Sequence, residues 1–149
     1  MDICAEQKKQ EFCQALLDAA NRPGQLPHLI HCRLTHLTPD GNAVGELEIQ
    51  PDNVNPWGTA HGGALATLAD NVTGSGVIAA TGCVCLTVSY SIHYLRPASG
   101  RKIICTSRPE KLGKHICVMH ADLTNEDGQL VATSEFTFNV AQPLNLEAL

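Results

Sequence analysis

The chain has 149 residues, 44% hydrophobic and 17% charged, with a net charge of −5. That is the length of one domain with enough apolar residues for a sizeable core, so composition-driven disorder is excluded. An acidic chain without a Lys or Arg run argues against nucleic acid and anionic membrane as partners.

The first twelve residues, MDICAEQKKQEF, lack the charged-then-apolar layout of a secretion signal. Residues 6–20 place Phe12, Leu16 and Ala20 on one side with Cys13 and Leu17 beside them. This spacing predicts a short amphipathic helix, stopped by Asn21-Arg22-Pro23-Gly24. Two strand-like runs follow, Leu29 to Leu37 and Ala43 to Gln50, and Pro39-Asp40-Gly41-Asn42 between them predicts a hairpin. From His61 to about Ala80 the apolar residues spread around nearly the whole circumference of a helix, so the rest of the protein must enclose it. Asp70, Asn71 and several Gly and Thr interrupt this stretch, which reads as a core segment and not a bilayer span. Gly74 and Gly76 each cost about 1 kcal/mol in a helix interior, which predicts backbone or another subunit passing close by. Val84, Leu86, Val88, Tyr90, Ile92 and Tyr94 then alternate with polar residues and predict a long strand with one apolar face. Turns at Pro97–Gly100, Leu112-Gly113 and Asn125–Gly128 join it to strands at 101–109, 115–124 and 129–140. Such short connections predict a four-stranded antiparallel meander. The expected fold is α+β, a long central helix wrapped by a curved antiparallel sheet. Residues 1–27 form a helix and connector, 28–140 the main domain and 141–149 a tail.

The seven cysteines are an odd number, include no CxxC pair and sit largely in apolar runs, as in a reducing cytoplasm. His28, Cys32 and His36 would share a strand face, but at a spacing no zinc motif uses, so no metal is expected.

The informative stretch is Asn55-Pro-Trp-Gly-Thr-Ala-His61-Gly62-Gly63, followed by Leu-Ala-Asp70. Gly62 and Gly63 open the helix, where N–H groups have no intrahelical acceptor and the helix dipole is positive. That is a natural seat for a polarised carbonyl. Asp70 lies two turns further in, among the small neighbours Ala66, Thr67, Thr73 and Gly74. A carboxylate there needs a partner or a water-filled space and is a candidate base or nucleophile. Cys83 and Cys85 have no base beside them in sequence, His93 and His120 read as strand-face residues, and Trp57 reads as a loop anchor rather than a substrate platform.

The pattern Asn-x-x-Gly-x-x-His-Gly-Gly with Leu-Ala-Asp resembles the hot-dog-fold acyl-CoA thioesterases of the phenylacetic acid degradation type. Thr87-Val-Ser-Tyr-Ser-Ile-His-Tyr-Leu-Arg-Pro-Ala98, Lys111-Leu-Gly-Lys114 and Ala121-Asp-Leu-Thr-Asn125 are also similar to that family, so the likeness covers about residues 40 to 140. The resemblance implies hydrolysis of an aryl or medium-chain acyl-CoA. In it, the Gly62 N–H polarises the carbonyl with Asn55 and His61 alongside. Asp70 attacks or activates water, and Thr87 helps place that water. Gly63, the stretch Tyr94, Leu95, Arg96, Pro97, Ala98 and Ser99, and Lys111 would bind the substrate and its coenzyme A arm. No metal and no tightly held cofactor is implied. A hydroxyacyl-thioester dehydratase would follow the His with Phe-Pro where this chain has Gly-Gly. A non-catalytic acyl-CoA-binding module would have no need of Asp70. Gly62 and Asp70 are separated by roughly 12 Å along one helix, too far for one thioester carbon. The expected assembly is therefore a homodimer with shared sites; a dimer of dimers is expected beyond it, though the spacing does not require one.

Overall fold

The computed structural model describes residues 3–148. Met1, Asp2 and Leu149, which fall within the expected N-terminal segment and tail, lie outside the described residues, as does the side chain of Cys4. Helix α1 (Ile3–Ala20) turns Cys13, Leu16 and Ala19 into the core. Asn21 ends it by a two-way clasp on the sheet, its Nδ2 donating to Leu34 O and its Oδ1 accepting from the Leu34 N–H, both at 2.8 Å. The strand expected from Leu29 begins only at Cys32. Pro27 sits in the first turn of a short helix, α2 (Leu26–Leu29), and His31 at φ 60 closes it in the left-handed region. His28 thus belongs to α2, and the three-residue strand face with Cys32 and His36 does not form.

Strands β1 (Cys32–Leu37) and β2 (Ala43–Glu48) form the expected hairpin. Helix α3 (Gly62–Thr81) is capped by His61 at its start and by Gly82, at φ 67, at its end. A Cβ at Gly76 would run into the Gly41 carbonyl oxygen of the β1–β2 turn, so this glycine permits the close backbone approach anticipated for it. Leu65, Leu68, Ala69, Val72 and Val77 of the helix meet Leu34, Leu47, Ile103, Met119, Phe136 and Phe138 of the sheet in one buried cluster.

The remaining strands are β3 (Cys83–Tyr94), β4 (Lys102–Leu112), β5 (Ile116–Asn125) and β6 (Leu130–Pro143), the last running beyond residue 140, where a tail was expected. The sheet is antiparallel, in the order β1-β2-β4-β5-β6-β3. The expected four-stranded meander is therefore wrong: only β4, β5 and β6 follow one another, while β3 pairs with β6 at the sheet edge. The connection from β3 to β4 crosses three strand spacings, about 14 Å, a span its residues can cover. On the way Leu95 and Arg96 donate their N–H groups to Val131 O, and Ala98 O accepts the Ala60 N–H at 2.9 Å. What reads locally as a hairpin turn is a strap across the end of the sheet.

Strand β3 also lacks the single apolar face its alternation suggests. The register shifts between Thr87 and Ser89, leaving Val88 as an extra residue. Cys85 and Thr87 face the helix before the shift, and Tyr90, Ile92 and Tyr94 face inward after it. Leu86 and Val88 point away from the core, 60% and 59% exposed.

Candidate active site

The first turn of α3 is bonded at almost every backbone group. The His61 N–H donates to Asn53 O at 2.9 Å, and His61 O accepts from the Ala64 and Leu65 N–H groups. The Gly63 N–H donates to His61 Nδ1 at 2.9 Å, which puts the ring proton on Nε2. Tyr94 donates its hydroxyl to Gly62 O at 2.7 Å, and Thr67 donates to Gly63 O at 2.9 Å. The Gly62 N–H takes no acceptor among the described residues. Of the two glycines singled out from sequence, Gly62 holds the free donor, whereas His61 occupies that of Gly63.

Gly62 opens onto a cleft of about 570 Å³. Asn55, Trp57, Thr59, Ala60 and Leu65 form one side, and the strap residues Tyr94, Leu95, Arg96, Pro97 and Ala98 form the other. Ser99 lies just outside it, its N–H turned back to Pro97 O. His61 and Gly63 line a separate hollow with Leu26, Ile30, Asn53 and Thr67. Lys111 sits near the far end of β4, nine residues or roughly 30 Å along the strand from Lys102, where the strap joins it, and does not line the cleft of its own chain. Burial pushes the Tyr94 phenol up, with Tyr90 adding to it, so it remains a proton donor at neutral pH.

Asp70 is half-buried on the open stripe of α3, with Ala66, Thr67 and Asn71. Thr87 donates its hydroxyl to Asp70 Oδ1 at 2.7 Å. Neither residue lines the Gly62 cleft. Cys85, beside them on β3, is pushed up to about 12 by burial, with the charge of Asp70 adding to it. Its thiol stays protonated, which excludes it as a nucleophile near neutral pH. Among the described residues no group of three or more His, Cys, Asp or Glu is placed to hold a metal ion, and no helix is long and apolar enough to cross a membrane.

One residue escapes the reading from sequence and another is misread by it. Asn53 is 4% exposed and holds the loop before α3. Its Nδ2 donates to Ile30 O and Glu48 O, its Oδ1 accepts from Gln50, and its carbonyl takes the His61 N–H. An Asn in a turn is commonplace, so nothing in the sequence distinguished it. Trp57 is no loop anchor: it stands 84% exposed at the cleft mouth.

A long helix seated in a curved antiparallel sheet, with a free N–H at its first turn and a carboxylate two turns on, is a hot-dog fold arranged for acyl chemistry. The family model of the thioesterase superfamily matches residues 58–132, and the chain belongs to that superfamily, as a thioester hydrolase. Acyl-coenzyme A thioesterase 13 of Homo sapiens is 33% identical over 100 residues, covering 65% of this chain and 71% of that protein. A hypothetical thioesterase of Streptococcus pneumoniae TIGR4, solved with coenzyme A, is 30% identical with a TM-score of 0.69, over 76% of this chain and 88% of that one. PaaI from the phenylacetic acid degradation operon of E. coli shares the fold at a TM-score of 0.80 and 18% identity, over 93% and 96% of the two chains.

Proposed function

We propose that the protein hydrolyses an acyl-CoA, with an aryl or medium-chain acyl group, to the free acid and coenzyme A. The observation that carries this reading is the Gly62 N–H, the one donor of a bonded helix turn left for a ligand. The thioester oxygen accepts it on the side lined by Asn55, with His61 capping the turn from the other side, and the positive end of α3 favours the charge that develops there. Asp70 works through Oδ2, since Thr87 holds Oδ1. It takes a proton from water, the water oxygen bonds to the carbonyl carbon, and the C–S bond breaks. The departing thiolate then recovers the proton. No metal and no tightly held cofactor enters this scheme. Gly63 stabilises the helix start, and the strap from Tyr94 to Ala98 accommodates the coenzyme A arm.

Roughly 12 Å of helix between Gly62 and Asp70 supports a shared site. Two antiparallel copies of α3 give each site Gly62 from one chain and Asp70 from the other. The uncovered edge of β3, with Leu86 and Val88 exposed, supports this pairing. Lys111 then meets a coenzyme A phosphate from the partner chain. The full assembly is a dimer of dimers, working in the cytoplasm.

Hydrolysis of an acyl-CoA panel, followed by the free thiol released, tests the reaction. Mixing Gly62→Pro with Asp70→Asn tests the sharing. The extended His61, at ψ 139, already suits a following proline, and the exposed Tyr94 side chain can yield to the new Cβ. A shared site recovers about a quarter of wild-type activity, because half the dimers are mixed and each has one intact site. No recovery, with mixed dimers confirmed by mass, would refute it.

A further inference from the structure

Trp57 is the chain's single tryptophan, and the hydrolysis described above makes no use of it. Its loop is tightly tied. Asn55 Oδ1 accepts the N–H groups of Trp57 and Thr59 at 3.0 and 3.2 Å, and Asn55 Nδ2 donates to Thr59 Oγ1 at 2.8 Å. Gly58, at φ 80, closes the turn by donating its N–H to Asn55 O at 3.0 Å. An indole held in water at 84% exposure keeps a large apolar surface hydrated, and a ligand on it would release that water.

The two arms of a thioester place different demands on a site. An acyl chain is apolar and gains from enclosure, whereas the other arm of an acyl-CoA ends in phosphates and must run out to solvent. The Gly62 cleft suits the second arm. Trp57, Tyr94 and Leu95 are all about half exposed or more along it. Arg96 stands in its wall, tethered by Nη1 to Leu130 O at 2.8 Å. Close to the thioester carbon that arm is pantetheine, whose amide planes and geminal methyl groups can lie flat on an indole. The nucleotide lies further out.

We infer that Trp57 packs over the pantetheine arm and is a specificity-determining residue for pantetheine-bearing thioesters. This rests on the acyl-CoA reading above. Because Trp57 is the sole tryptophan, its emission reports the contact directly. D-pantetheine should shift the emission to the blue in a saturable way, and adenosine 3′,5′-bisphosphate should leave it unchanged. Trp57→Ala should raise KM about tenfold for acyl-CoA and for the matching acyl-pantetheine alike. It should spare KM for the same acyl group on ethanethiol, with Trp57→Phe recovering part of the loss. A response to the bisphosphate and none to pantetheine overturns the inference. So does an equal rise in KM for the ethanethiol ester, which would place the indole on the acyl arm. If the wild-type protein hydrolyses acyl-CoA while pantetheine leaves the emission unchanged, only the Trp57 assignment falls. If no acyl-CoA is hydrolysed, the proposed function falls, and a blue shift with pantetheine would still uphold the contact.

Discussion

The first turn of α3 and its middle are built in opposite ways. At the first turn, His61, Asn53, Tyr94 and Thr67 hold the backbone of residues 61–63 from one chain alone, leaving a single N–H free. In the middle, Asp70 has Thr87 as its side-chain partner and faces an open stripe of the helix. The turn is preorganised before any ligand arrives, whereas the carboxylate has one hydroxyl partner and an open side. In the proposed reaction, rigidity would thus reside where charge develops, and accessibility where a proton moves.

The sharpest break of this contrast is Asp70→Asn, which keeps shape and removes the charge. Turnover should fall at least about a hundredfold while substrate still binds. Steady-state kinetics showing near-normal kcat would remove Asp70 from the chemistry. Thr87→Ala should lower kcat about tenfold with KM little changed, and Thr87→Ser should restore most of the loss. Without rescue by Ser, the hydroxyl would not be what matters. On the other side of the comparison, Asn53→Ala strips the buried partners from Ile30 O, Glu48 O and the Gln50 N–H. It should cost about 2 kcal/mol in a urea titration and reduce kcat as the first turn loosens. Unchanged stability would mean the turn is not held from below. Ser107 is buried with its hydroxyl unpartnered, so Ser107→Ala should be neutral or raise stability by about 1 kcal/mol in the same titration. The smallest effect belongs to Cys85. With its thiol pushed up to about 12, only the protonated form is populated at pH 8, and the thiolate appears as pH rises toward that value. Alkylation of Cys85 should be slow at pH 8 and accelerate toward pH 12, and Cys85→Ala should keep kcat within about twofold. Rapid inactivation at pH 8 traced to Cys85 would contradict this.

What could be read from sequence was local. Helix α3, its glycine-rich start and the carboxylate inside it declare themselves because capping, dipole and periodicity act over a few residues. The β1–β2 hairpin did so through Asp40-Gly41. The strand order did not, since Pro97–Gly100 has a turn's composition wherever β4 lies, and only pairing with β2 and β6 decides that the chain crosses the sheet. The cleft wall was missed as architecture for the same reason, although its residues had been picked out by resemblance. Leu29 to His31 were misread because apolar and β-branched residues there outweighed Pro27, which starts a helical turn. Trp57 was misjudged because exposure cannot be read from residue type.

The extra residue in β3 has a consequence for how the chain tolerates changes of length. Thr87 and Tyr90 are three apart and both face inward, which a regular strand forbids. Deleting Val88 would restore strict alternation and leave both facing inward. Deleting Leu86 would put Cys85 and Thr87 on opposite faces. The site therefore depends on a count as much as on side chains. Single-residue deletions along this strand should divide sharply, with position 88 as the gap through which the chain can shorten and still bring a hydroxyl to Asp70.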